Sequence, residues 1–249
     1  MHIEILIFFF LIAAVYASAG FGGGSSYLAL LALYAVPMAT MRPTALICNI
    51  VVVIGGSFLF WKNGFLNFRK ILPLSIASVP MAFVGGLLPL KERTFFILLG
   101  FSLLAAALLM LFQKKQTESN QTVGVKSKNP IIQQSVIGGS IGFLSGMVGI
   151  GGGIFLSPIL HLLRFDTPKN IAATASFFIL INSISGLIGQ LSKNPTLDWA
   201  FIAPLTLAVL LGGQVGSRLT TFRLNQTLVR KVTAVLVFYA GINILSQNL

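Results

Sequence analysis

Residues 71–90 run for twenty positions without a charged side chain, and residues 45–61 and 95–112 do the same over seventeen and eighteen. A helix crossing the hydrocarbon core of a bilayer needs roughly 20 mostly apolar residues. Alternation of apolar and polar positions is absent, so helices rather than a barrel must satisfy the backbone inside a membrane. Only 9% of the residues are charged and 55% are hydrophobic, whereas a soluble domain carries about 25% charge to face water. These features predict an all-α polytopic membrane protein.

The net charge of +12 does not point to nucleic acid. The seventeen Lys and Arg residues sit between apolar runs instead of along one polar face, and in a membrane protein such a distribution reports orientation. Cys48 is the one cysteine and lies inside an apolar run. It excludes an internal disulfide and reads as a small packing residue. Residues 5–15 followed by Ala17-Ser18-Ala19 resemble a signal peptide. The stretch before them, however, carries Glu4 and no Lys or Arg, and the same segment recurs in the second half. The expectation is a structural helix.

The recurrence covers the chain. Gly20-Phe21-Gly22-Gly23-Gly24 matches Gly149-Ile150-Gly151-Gly152-Gly153 at an offset of 129, and each follows an apolar run. Thr44-Ala45 matches Thr174-Ala175, Gly56 matches Gly186, Pro73 matches Pro204, and Val84-Gly85 matches Val215-Gly216. The offset drifts only to 131, so two units share one order of elements. Each reads as five apolar segments: 3–19, 25–37, 43–61, 70–89 and 94–112, then 131–147, 153–164, 170–191, 199–217 and 227–246. The chain divides into a first repeat at 1–112, a polar linker at 113–130 and a second repeat at 131–249.

Alternating the loops, with the linker inside, places thirteen of the seventeen basic residues on the inner side. Arg42, Lys91, Arg93 and Lys193 are left outside. This asymmetry predicts a cytoplasmic linker and external termini. Five segments per unit make the second copy enter from the opposite side, so the units are expected to be inverted repeats, an architecture of secondary transporters. The second segment of each unit is short for a crossing. Ten spans, or six spans with two re-entrant hairpins tipped by glycine, satisfy the same charge count.

Consecutive glycines admit positive φ and remove the side chains that block close approach. At a helix start they leave unpaired N–H groups at the positive end of the dipole, which suits an anion. Gly22, Gly23, Gly24, Gly151, Gly152 and Gly153 are therefore candidate substrate-binding residues, with Ser25 and Ser26 adding hydroxyls beside the first turn. Tight helix packing is the alternative reading of the same glycines. Asn49, Asn182, Gln190 and Gln214 can bond between helices or line a path. Thr44 and Thr174 recur at matched positions and join the candidate site with Asn49 and Asn182, although a hydroxyl can also bond back to its own helix. His161 is a candidate proton or anion relay, or a satisfied interfacial group. Arg42 and Arg164 follow the two short segments and either draw anions to the mouths or anchor the interface.

Enzyme signatures are scarce. Two histidines, His2 and His161, form no zinc pair, Ser145 lacks a nucleophile-elbow context, and no Walker A sequence occurs. No metal or cofactor is expected.

The duplicated Gly-x-Gly-Gly-Gly turn, Pro158, Thr174-Ala175 and Gly212-Gly213-Gln214-Val215-Gly216-Ser217-Arg218 resemble the sulfite exporter TauE/SafE family over nearly the whole length. The resemblance implies transport of small sulfur-containing anions, such as sulfite or organosulfonates, across the bacterial cytoplasmic (inner) membrane. The partners it implies are a small anionic substrate and the lipid bilayer; a homo-oligomer stays open. Pro158 stands where the first unit has Ala29, so the half-sites are expected to differ in geometry. An anion leaving a negative interior gains about 2.3 kcal/mol per charge per 100 mV, which suits an exporter. An anion channel and a non-transporting assembly subunit are the competing functions.

Overall fold

A computed structural model describes residues 3–18, 20–112, 129–193, 196–219 and 226–248. Residues 113–128 of the expected linker, His2, and the side chains of Arg218, Arg223 and Arg230 lie outside the described parts. Among the described residues every regular element is a helix. The first half contains α1 (Ile3–Ser18), α2 (Gly24–Leu33), α3 (Met38–Lys62), α4 (Phe68–Leu87) and α5 (Glu92–Phe112). The second contains α6 (Pro130–Val148), α7 (Gly153–Leu162), α8 (Pro168–Leu191), α9 (Trp199–Leu219) and α10 (Gln226–Asn248).

Six of these, α3, α4, α5, α6, α8 and α9, are long and apolar enough to cross a membrane, whereas α1, α2 and α7 are shorter. Large apolar side chains such as Phe8, Leu11, Phe58, Leu72, Ile76 and Leu207 face outward, which suits hydrocarbon rather than water. Lipid tails are as apolar as leucine, so the helices associate through close packing of small residues. On α6, Gly138, Gly142 and Gly146 lie against the backbone of Leu74, Ser78 and Ala82 on α4, and a Cβ at any of them would collide with a carbonyl oxygen. Gly212 and Gly216 of α9 sit in the same way on Phe10 and Ala14 of α1. Each pair is parallel, because the sequence offset stays constant along it.

The packing pairs recur with the halves exchanged: α4 on α6 and α9 on α1, α4 on α8 and α9 on α3, α2 on α3 and α7 on α8. Corresponding helices that meet run antiparallel. Arg42 of α3 and Gln190 of α8 both bond to Gly146 O at one end, and Ser57 is bonded to Ser176 at 2.9 Å towards the other. Likewise Arg93 Nε at the start of α5 donates to Asn248 O at the end of α10 (3.1 Å). Lys62, Arg69, Lys70, Arg164 and Lys169 therefore share one end of the bundle, and Arg42, Lys91, Arg93 and Lys193 share the other.

The short helices return to the end from which the chain came. Tyr34, just past α2, donates to Glu4 Oε2 at the start of α1 (2.9 Å). Phe165, just past α7, has its ring 5.7 Å from Lys70 Nζ, while Ser135 near the start of α6 donates to Pro73 O on the same first turns of α4. The pairs α1–α2 and α6–α7 are thus hairpins with glycine at their inner tips. The expected segment at 25–37 ends as helix at Leu33, because Ala35 turns to φ 51° and Val36 N–H bonds back to Leu31 O. Arg164 (φ 48°) and the bond from Phe165 N–H to Leu160 O repeat this closure after α7. Such left-handed helix ends usually carry glycine, so neither is signalled by residue type.

Candidate functional site

The two glycine turns meet at the centre of the bundle. Gly22, Gly23, Gly24, Gly151, Gly152 and Gly153 are all buried. Asn49 of α3 lies between the turns, and its Nδ2 donates to Ile150 O (2.9 Å). A Cβ on Gly22 or Gly24 would strike the Asn49 carboxamide, and one on Gly151 would lie 2.7 Å from Asn49 Nδ2 and 2.8 Å from Ser183 Oγ. A Cβ on Gly24 would also reach Ile150 O, so the turns touch directly. Glycine is needed here chiefly for approach.

The turns differ in backbone. Positive φ falls at Gly149 (90°), Gly151 (82°) and Gly152 (84°) in the second, but only at Gly20 (77°) in the first. The expected left-handed freedom of Gly22, Gly23 and Gly24 is unused, because Gly23 caps α2 at φ −100°. Neither α2 nor α7 has a side-chain cap. The first α2 bond runs from Tyr27 N–H to Gly23 O, and α7 starts with Phe155 and Leu156 N–H to Gly152 O. The N–H groups before these have no intrahelical acceptor. Two buried, uncapped helix N-termini therefore point into one region, where both dipoles favour negative charge.

Several buried polar atoms near the turns also lack a partner: Asn49 Oδ1, Ser183 Oγ, Ser145 Oγ and Tyr27 OH. Ser145 Cβ would sit 3.4 Å from a Cβ on Gly152, and Tyr27 OH 2.7 Å from one on Gly23. An unsatisfied buried polar group costs about 1–3 kcal/mol, and four beside one pair of helix ends mark a polar centre inside an apolar protein.

The other expected site residues make the following contacts. Ser25 is buried at the start of α2, and Ser26 is bonded to Tyr16 OH (2.7 Å). Thr44 bonds back to Thr40 O (2.6 Å), and Thr174 is buried on α8. Asn182 turns towards α4, donating to Ser78 Oγ (3.1 Å) and Phe178 O (2.8 Å). Its neighbour Ser183, which sequence reasoning missed, faces Gly151 instead. His161 occupies the last turn of α7, roughly 12 Å along the helix from Gly153. Gln214 is exposed, whereas Gln190 is buried and bonded to Gly146 O (3.3 Å).

The missed serine belongs to a pattern visible in spacing. Arg42, Asn49 and Gly56 recur every seven residues on α3, and Ser176, Ser183 and Gln190 do so on α8. Because α3 and α8 are antiparallel, these positions pair as three rungs: Arg42 with Gln190, Asn49 with Ser183, and Gly56–Ser57 with Ser176. Seven residues make nearly two turns, so the rungs stand about 10 Å apart along one seam. The glycine turns close on the middle rung.

The ends of the bundle are unlike. A cavity of about 270 Å³ opens at the Arg42 end, lined by Ala39, Thr40, Pro43, Thr196, Leu197, Asp198 and Ile202. The corresponding place at the other end is bridged, with Lys70 Nζ 2.6 Å from Asp166 Oδ2 and Asn170 Nδ2 donating to Asp166 Oδ1 (2.9 Å). Burial alone would raise the Asp166 carboxyl, but Lys70, the Thr167 N–H and Asn170 together hold it below its ordinary value.

The profile of the family described as "Sulfite exporter TauE/SafE" matches residues 5–244. The chain belongs to the sulfite exporter TauE/SafE family. Among similar proteins, a probable membrane transporter protein of Sinorhizobium fredii, y4hK, is 32% identical over 98% of both chains. The probable membrane transporter protein YjnA of Bacillus subtilis is 21% identical over 98% of this chain and all of its own. A third, YunE of Bacillus subtilis, is 30% identical over 39% of this chain and 35% of its own. No solved structure matches. Family and relatives alike identify a multi-pass membrane transporter.

Proposed function

We propose that the protein is a secondary carrier exporting small sulfur-containing anions, such as sulfite or organosulfonates, from the bacterial cytoplasm. The observation that carries this reading is the convergence of two buried, uncapped helix N-termini on Asn49. Backbone N–H groups and two dipoles supply positive potential without a titrating side chain, so the site holds an anion over a wide pH range. The halves act as inverted repeats, a reading supported by the exchanged packing pairs and the antiparallel α3–α8 and α5–α10 contacts. The end that carries Lys62, Arg69, Lys70, Arg164 and Lys169 faces the cytoplasm by the positive-inside rule.

Contact between the two turns closes the middle of the protein, which favours a carrier over a standing channel. Loading requires the turns to part around the anion. The cavity at the Arg42 end and the Lys70–Asp166 bridge at the other support alternating access: the inner end is bridged and the outer end is not, while the turns between them are closed. Transfer then breaks the Lys70–Asp166 bridge and closes the Arg42 end, and outward movement runs down the electrical gradient without a coupling ion.

Asn49→Ala removes the link between the turns and one anion donor. In proteoliposomes of folded protein it should raise the KM for sulfite roughly tenfold, the effect of losing one hydrogen bond to a charged group. Ser183→Ala should raise it less. Unchanged sulfite kinetics in both variants would move the site away from the glycine turns.

A further inference from the structure

Arg42 is a cation that the fold buries without a counter-charge. It is the fifth residue of α3, yet only 8% of it is exposed. Its Nη2 donates to Gly146 O over 3.3 Å, its Nε is buried without a partner, and its guanidinium carbon stands 6.0 Å from the Phe95 ring centre. Among the described residues the one ion pair within 4.0 Å is Lys70–Asp166, at the opposite end of the bundle. Glu4 accepts from Tyr34, Asp198 accepts from Phe201 N–H, and Glu92 is exposed. An uncompensated buried charge is costly, and within a membrane it marks a functional site with an opposite charge as partner.

The surroundings describe that partner. Gly146 O is shared by Arg42 and Gln190 at 3.3 Å each, long bonds that a full negative charge outcompetes. A guanidinium offers a planar set of donors that fits two oxygens of one oxyanion. The backbone of Arg42 lies 3.3–3.4 Å from the Cβ position of Gly149, three residues before the cap of α7. Arg42 is also the outermost of the three α3–α8 rungs, two helical turns from Asn49. The corresponding position in the other half is Ala172, packed against Gly20, so the charge stands on one side only.

We propose that Arg42 is the charge-recognising residue for a small oxyanion, which it binds at the outer rung between α3, α6 and α8 before or after the glycine turns hold it. This deepens the anion-carrier reading and rests on it for direction of travel, though not for binding. The one-sided charge places this contact at the Arg42 end alone.

The alternative role for Arg42 is to cap the C-terminal end of α6; such a role changes stability but not anion dependence. Thermal unfolding of detergent-purified protein against sodium sulfite, sodium methanesulfonate and sodium chloride separates the two. Sulfite or methanesulfonate should raise the unfolding temperature of the wild type, and Arg42→Gln should need roughly tenfold more anion for the same shift. Arg42→Lys, which restores charge without the planar fork, should fall between them and covers the case in which Arg42→Gln does not fold. Equal half-maximal concentrations in wild type and the folded variants, or no shift of the wild type by either oxyanion, would overturn the assignment. Sulfite flux into proteoliposomes distinguishes the two readings. Arg42-dependent stabilisation without wild-type flux keeps the anion site and rejects the carrier. Saturable flux with an unaltered KM in the Arg42 variants does the reverse.

Discussion

Asn49 touches both glycine turns at once, and its carboxamide is fully buried with Oδ1 unpaired. Its Oδ1 lies towards Gly22 and its Nδ2 towards Gly24 and Gly151. Asn49 was legible because a carboxamide inside an apolar run stands out. Ser183 was not, since Asn182 beside it is the more polar residue and one position is a 100° rotation about the helix. Asp166 shows what a single titrating group contributes. Its folded carboxyl lies below the ordinary value of about 3.9, so its stabilisation is full above that value and disappears as pH falls through the lowered one. Asp166→Asn should therefore cost about 0.2–1 kcal/mol at pH 7, the range of a solvent-screened pair, since Lys70 is 38% exposed. The difference from wild type should begin to shrink as pH falls below about 4 and disappear through the lowered value. Thermal melts of both proteins across pH 3–7 check this; a constant difference would show that the pair contributes nothing.

At the scale of elements, glycine has two separate uses. In the turns it lets two backbones meet around Asn49. On α6 and α9 it lets whole helices lie against α4 and α1, with the stripes at Gly138, Gly142 and Gly146 and at Gly212 and Gly216. Gly142→Leu would drive a side chain into Ser78 and should destabilise by about 1–3 kcal/mol. Gly55 meets nothing within 4 Å of its Cβ position, and Gly55→Ala should leave stability unchanged or slightly raised. Thermal unfolding in detergent compares them, and equal behaviour would remove the packing role. The apolar runs made the helices plain in the sequence, and the matched glycines located both turns. Which helix packs on which was hidden. Apolar residues surround a membrane helix on all sides, so no amphipathic face names its neighbour. The pairing of α4 with α6 also joins residues of different repeats, which repeat matching alone does not reveal.

At the scale of the molecule, the two halves interlock: each first helix is packed on the fourth helix of the other half, and α3 and α8 form the seam between them. Each of these two helices runs the length of the seam, one from each half. The cavity beside Thr40 and Asp198 and the bridge from Lys70 to Asp166 occupy corresponding places at opposite ends, so the two ends are unlike. The repeated order of segments and the placement of basic residues predict related ends, but not which end carries the bridge. That depends on Asp166 and Lys70, whose counterparts are Val36 and Phe201. Counterflow of radiolabelled sulfite from proteoliposomes tests the carrier most directly. The account predicts a saturable efflux that unlabelled sulfite on the opposite side accelerates. An efflux that rises linearly with concentration and ignores the opposite side, or no efflux at all, would contradict it.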